Sequence, residues 1–306
     1  MDAIAKLTPA SPRRRGRLNQ TEFRWILLFI GPTVLGLAVG ALGPMLASLA
    51  ISFTKWDVIV RPVFVGWQNY VKLAADPLFI KSMINTAYFT AVSVPLGMAA
   101  SLLIALLMNQ KLKGILLYRT AFFTPVVTSV TAVALVWSWI FSSDFGLLNY
   151  ILGLLHLPGV NWLSSTTWAM PAVILVSIWW GLGYDMVIFL AGLQGIPDIY
   201  YEAAKIDGAG PGRQFLYITL PLMTPYIFFV LIMSLISSLQ VFTQCYMMTK
   251  GGPANATLTI FYYLYKNGFM YFKMGYASAM AYILFIVIFV LSWLSFKLQD
   301  RWVIYQ

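Results

Sequence analysis

Six stretches of this 306-residue chain are long and apolar enough to cross a bilayer, and they leave little choice of fold. A helix covers roughly 30 Å of hydrocarbon with about 20 apolar residues. Trp25 to Phe53, Ile84 to Met108, Leu117 to Phe141, Trp168 to Leu193, Pro225 to Met248 and Tyr276 to Phe296 all meet that length. Hydrophobic residues make up 60% of the chain and charged residues 10%, against about 45–50% and about 25% in soluble domains. The fold class is therefore all-α: a polytopic membrane bundle of about six transmembrane helices. A basic tail over residues 1–24 precedes a single domain over 25–306. Pro32 and Pro44 are expected to end or kink the first span. That span is too long for a cleaved leader and is expected to stay as an anchor.

The chain carries 20 Lys and Arg against 10 Asp and Glu, a net charge of +10. Such a balance invites nucleic acid as a partner, but the basic residues sit between apolar stretches, where the positive-inside rule explains them. Thirteen fall on one side: Lys6, Arg13, Arg14, Arg15, Arg17 and Arg24, then Lys111, Lys113 and Arg119, then Lys205, Arg213, Lys297 and Arg301. The opposite loops, 54–83, 142–167 and 250–275, hold seven. Both termini are thus expected in the cytoplasm, as an even number of spans requires. Trp56, Trp67, Trp139, Trp162, Trp168 and Trp302 stand near span ends, where amphipathic rings anchor a membrane protein.

Single copies of Cys245 and His156 exclude an intrachain disulfide framework and the usual multi-Cys or multi-His metal sites. No G-x-x-x-x-G-K-[ST] segment is present, so work driven by a nucleotide would need another chain to bind it.

Inside the spans, the polar exceptions carry the information. Asp185 lies eight residues before the predicted end of the fourth span, roughly 12 Å into the bilayer. An ionisable group at that depth points to a solute pathway unless a neighbouring helix satisfies it. Gly181 and Gly192 fall on its helical face, which should pack or line a cavity. The third span carries Thr124, Thr128, Thr131, Ser138 and Ser142 at helical spacing, and the fifth carries Ser237, Gln240 and Gln244, with Ser234 just before. Gln donates and accepts, as the hydroxyls of a sugar require, and Trp137, Phe242 and Tyr246 lie beside these positions. The same groups could instead bond their own helix carbonyls or hold helices together. A proton-relay chain of acids and His, matched Gly/Pro-broken spans, an Arg-rich sensor helix and a selectivity-filter segment are not evident, which weighs against secondary transporters and ion channels. A catalytic cluster that would suggest a membrane enzyme is not seen either.

The loop after the fourth span reads Ile196-Pro197-Asp198-Ile199-Tyr200-Tyr201-Glu202-Ala203-Ala204-Lys205-Ile206-Asp207-Gly208. Pro197 and Asp198 suit a helix start, Gly208 suits its stop, and a second short helical piece is expected from Arg213 to Leu220. Glu202-Ala203-Ala204, Gly208 and then Ile218-x-Leu220-Pro221 resemble the EAA signature of binding-protein-dependent ABC importer permeases. Gly66-Trp67-Gln68-Asn69-Tyr70, Asp76-Pro77-Leu78-Phe79, Asn85-Thr86, Leu190 to Pro197 and Gly251 to Thr257 look like the carbohydrate-uptake (maltose-type) subgroup, in a compact six-span form.

That resemblance implies a permease subunit translocating a sugar or related polyol by alternating access, or a glycerol phosphate or other glycosylated solute. It implies a bacterial inner-membrane location, a second permease subunit forming a heterodimer, two cytoplasmic ATPase subunits that bind ATP and Mg, and an extracytoplasmic solute-binding protein. This chain would bind no cofactor and catalyse no reaction. Glu202, Ala203, Ala204, Asp207, Gly208, Ile218, Leu220 and Pro221 would couple to the ATPase, although Lys205 and Asp207 could simply face water. Asp185, Gln240, Gln244, Ser237, Thr128, Thr131, Trp137 and Phe242 are the pathway candidates.

Overall fold

A computed structural model describes residues 20–110 and 113–304. The tail residues Lys6, Arg13, Arg14, Arg15 and Arg17, and Lys111 of the orientation count, lie outside the described residues. Contacts divide the chain into two units, residues 1–50 and 51–306.

In the first unit, α1 (Gln20–Leu37) runs through Pro32 into a π-helical segment, Ala38–Leu42, and then into α2 (Gly43–Ser52). Neither proline ends the span. The Gly43 N–H reaches back to the Ala38 carbonyl, and Pro44, which has no N–H to give, adjoins this widened turn. Leu28–Ser52 is long and apolar enough to cross a membrane.

The second unit opens with a short antiparallel hairpin, β1 (Thr54–Lys55) and β2 (Val63–Phe64), followed by α3 (Gln68–Ala74) and the 32-residue α4 (Pro77–Met108). Asp76 caps α4 by accepting the N–H groups of Leu78 and Phe79, so α4 starts earlier than apolarity alone suggests. α5 (Ile115–Val127) and α6 (Val130–Ile140) follow, then α7 (Leu147–Leu154) and α8 (Ala169–Gln194). A loop carries α9 (Asp198–Ile206) and α10 (Pro211–Gln214), and a π-helical segment, Phe215–Thr219, leads to α11 (Leu220–Leu222) and α12 (Thr224–Leu239). The outer segment α13 (Ile260–Tyr265) precedes the last long helix, α14 (Met274–Gln299).

Among the described residues, four helices are long and apolar enough to cross a membrane alone, and two bent pairs bring the number to six if each is one span. The third predicted span is one of those pairs, which corrects the expectation of one continuous helix there; the other pair joins the separate helical piece expected over Arg213 to Leu220 to the start of the fifth span. α5 and α6 meet at 100°, and α10–α11 and α12 at 63°. Proline causes both breaks: Pro125 stands in the last turn of α5, and Pro221 and Pro225 flank the second bend. The fifth predicted span is itself interrupted, because α12 stops at Leu239 and helical structure resumes at Thr243, running into the π-helical segment Cys245–Thr249.

α4 and α8 form the centre of the second unit. Ser101 donates across their interface to the Leu182 carbonyl at 3.2 Å, a contact worth about 0.6 kcal/mol in such helices. Gly183 brings α8 against α5 so closely that a Cβ there would collide with the Phe122 carbonyl oxygen. Small residues at such crossings let backbones approach where water offers no hydrophobic drive.

Candidate functional site

Where α4, α8 and the broken segments meet, they leave a cavity of about 560 Å3. α8 contributes Ser177, Trp180, Gly181, Tyr184 and Asp185, all at three- and four-residue spacings that place them on one face. α4 supplies Ser93, Gly97 and Ser101. The interruption after α12 supplies Gln240, Val241, Phe242, Thr243 and Gln244, beyond Ser234 and Ser237 on α12 itself. Val126 and Val130 face the cavity from either side of the α5–α6 break.

The breaks determine what the cavity offers. At Thr128 the backbone leaves the helix (φ −82, ψ 149), and the indole N–H of Trp180 donates to the freed Thr128 carbonyl at 3.3 Å. Non-helical backbone at membrane depth is tolerated where protein or a cavity meets it in this way. At Gln240 the chain turns out of α12 (φ −104, ψ 15), so Gln240 and Gln244 share the cavity because the chain folds round it, not because they share a helix face. Neither side-chain amide bonds another described residue, and the same holds for the carboxylate of Asp185. Three of the lining serines differ: Ser101, Ser177 and Ser238 donate to backbone carbonyls, as hydroxyls in membrane helices commonly do.

Of the eight sequence-derived pathway residues, Asp185, Gln240, Gln244, Ser237 and Phe242 line this cavity. Thr128, Thr131 and Trp137 do not. The bend rotates the Thr/Ser stripe of the third span out of register, and its members largely satisfy themselves: Thr124 donates to Thr120, Thr128 to Pro125 and Ser138 to Ala134. Trp137 packs against Phe141 and Trp179, each at 5.4 Å between ring centroids. Gly181 opens on the cavity while Gly192 packs against Met223 and the Tyr226 ring, so their shared face serves both expected ends. Trp180, Tyr184 and Ser177 were missed; of these only Ser177, eight residues before Asp185, lies at a helical spacing from it that could have signalled a shared face.

The 196–222 loop is built from local signals. α9 ends in a Schellman turn: Ala209 N–H bonds the Ala204 carbonyl at 2.8 Å and Gly208 N–H bonds Lys205 at 3.1 Å, with Gly208 at φ +75. Only glycine takes that conformation cheaply. Tyr201 hydrogen-bonds Thr219 at 2.9 Å, and Gln214 donates to the Ala209 carbonyl, so α9 is fastened to the segment entering α12. Tyr201, Ile218 and Leu222 pack against a core of Ile196, Leu193 and Met223. Glu202, Ala203, Asp207 and Gly208 are exposed, beside exposed Ile199 and Ile206. The motif thus divides: Glu202 and Ala203 face outward, whereas Ile218 holds the loop to the bundle and Leu220 and Pro221 are half-buried in the stretch leading to the bend.

Two stretches near the other end are joined across the sequence. Asn85 on α4 donates to the carbonyls of Asn255 and Leu258, each at 2.9 Å, Lys81 donates to Ala254, and the Thr86 hydroxyl accepts the Ile260 N–H. Asp76 accepts the phenols of Tyr263 at 2.7 Å and Tyr276 at 2.6 Å. Burial pushes the Asp76 carboxyl up, but these phenols and the two backbone N–H groups outweigh it and hold the carboxyl below its ordinary range. Burial, aided by that carboxylate, pushes the Tyr263 phenol up to about 12.

Residues 93–305 match the profile of the family described as "Binding-protein-dependent transport system inner membrane component". The chain is 38% identical over 283 residues to the "Probable ABC transporter permease protein YesP" of Bacillus subtilis (strain 168), covering 91% of each protein. It is 36% identical over 276 residues to the "Lactose transport system permease protein LacF" of Rhizobium radiobacter, covering 88% of this chain and 92% of that one. In fold it is similar to a chain of a bacterial alginate ABC transporter crystallised with its alginate pentasaccharide-bound periplasmic protein. That match has a TM-score of 0.82 at 24% identity, over 92% of this chain and 96% of the other.

Proposed function

The chain belongs to the family of binding-protein-dependent transport system inner membrane components, and from that premise we propose how its parts divide the work of an ATP-driven importer. The cavity between α4, α8 and the α12 break is the solute pathway. Its unpartnered Asp185, Gln240 and Gln244 replace the water of a polyhydroxylated solute, and Phe242 and Trp180 offer faces on which a sugar ring can rest. That cluster of free polar groups at membrane depth is the observation that carries the proposal, since such groups are costly unless a solute or water meets them.

α9 is the handle. Exposed Glu202 and Ala203, flanked by Ile199 and Ile206, dock in a cleft of a separate ATPase subunit, and the Schellman turn and Tyr201–Thr219 bond pass its movement to α12. Asp207 and Gly208 end that handle, while Ile218, Leu220 and Pro221 fasten it to the bundle. A second permease subunit completes the pathway and an extracytoplasmic binding protein delivers the solute. ATP closes two such ATPase subunits, shifting a bundle with two stable arrangements from one to the other.

The test is disulfide or bifunctional crosslinking from Ala203→Cys in membranes holding the whole transporter. The expected product is a permease–ATPase adduct whose yield changes with ATP. Labelling of this cysteine from the extracytoplasmic side, or crosslinking to no nucleotide-hydrolysing subunit, contradicts the proposal.

A further inference from the structure

Resting on the assignment of this cavity as the pathway, we propose that Asp185 makes it a charge filter: it admits neutral or amine-bearing polyhydroxylated solutes and holds back phosphorylated, sulfonated or carboxylated ones. Among the described residues, Asp185 is the one acidic residue lining the cavity, and no Lys, Arg or His lines it. The flanking helices supply no compensating cation. α8 and α12 contain no Lys or Arg, and Lys81 of α4 and Arg119 of α5 stand outside the cavity lining, held at the Ala254 and Met108 carbonyls. Among the described residues no hydroxyl bonds the carboxylate, and Ser101 and Ser177 spend their protons on backbone carbonyls.

The charge of a carboxylate in a protein-walled cavity is screened less than one in open water. Charges interact several-fold more strongly in such surroundings than in water, and a cleft lined by one sign concentrates the opposite sign. A protonated amine entering the cavity supplies the missing counter-charge, and a neutral sugar supplies hydroxyl donors. An anion can offer neither and must leave its water beside a like charge. The filter therefore adds a second selection to whatever a binding protein delivers, set by charge rather than by ring shape.

The test needs no knowledge of the natural solute. Ser237→Cys, on the exposed flank of α12, is placed in a Cys245→Ala background within the assembled transporter in membrane vesicles. Three methanethiosulfonates serve as probes: the cationic ethylammonium, the neutral methyl and the anionic ethylsulfonate reagents. Relative to their rates with a free thiol, the cationic reagent should outrun the anionic one by about tenfold or more, as one nearby charge in a partly dry site requires. Asp185→Asn, which keeps the side-chain shape, should bring the ratio back to the free-thiol value, and Asp185→Glu should retain the bias. A free-thiol ratio in the parent, or a bias that survives Asp185→Asn, overturns the filter and leaves the pathway standing. If the neutral reagent fails to reach both Ser237→Cys and Ser234→Cys, the cavity is closed to solutes and pathway and filter fall together.

Discussion

The 196–222 loop and the membrane cavity do different jobs with different kinds of information. The loop is continuous in sequence, and its devices act inside one short stretch: Pro197 sets the start of α9, Gly208 turns its end, and Tyr201 reaches Thr219 eighteen positions on. The cavity is assembled from α4, the α5–α6 break, α8 and the stretch after α12, so no short segment specifies it. A surface helix and its fastenings can thus be specified by one contiguous motif, whereas a cavity in a bundle is specified by where separate helices stop.

The largest effect that can separate the two regions comes from Glu202→Lys. Reversing this exposed charge should drop solute-stimulated ATP hydrolysis to the rate without solute while the permease is still recovered from the membrane, and unchanged stimulation removes α9 from the coupling role. Next comes Gly183→Val, which forces a side chain into the Phe122 carbonyl. Overpacking costs about 1–3 kcal/mol, read as a lower unfolding temperature in detergent, and normal stability means α5 and α8 stand further apart. Gln244→Ala should cut uptake by about tenfold, the loss of one charge-free hydrogen bond or slightly more, with crosslinking from Ala203→Cys preserved. If crosslinking fails as well, loop and cavity are not separable.

Smaller still is Asp76→Ala, which removes an N-cap and the acceptor for two phenols. A loss of about 1–2 kcal/mol is expected, and the pH dependence gives the sign. A carboxyl held below its ordinary value of 3.8 lends stability that is full above that value and disappears as pH falls through the lowered one. Thermal unfolding of the parent should therefore converge on that of Asp76→Ala only in strong acid.

Much of this architecture was legible in the residues. Asp185 stood out because nothing else acidic lies so deep in an apolar run, and α9 was bounded correctly by Pro197 and Gly208. What stayed hidden depended on partners far away in the chain. The stripe through Thr128 and Thr131 has helical spacing, but Pro125 and the extended backbone at Thr128 rotate it away from the site. Gln240 and Gln244 were expected on one helical face and reach the same cavity by a turn instead. Asp76 was visible only as part of a motif, because its two tyrosines lie 187 and 200 residues downstream.

The bonds from Asn85 and Thr86 to the stretch 255–260 carry a consequence for biogenesis. Their sequence separation is 170 residues or more. At about 5–20 residues per second of translation, the N-terminal end of α4 emerges roughly 10–30 s before the peptide groups that will occupy its amide and hydroxyl. During that interval water must serve as their stand-in, so the bundle cannot lock until the C-terminal third has left the ribosome.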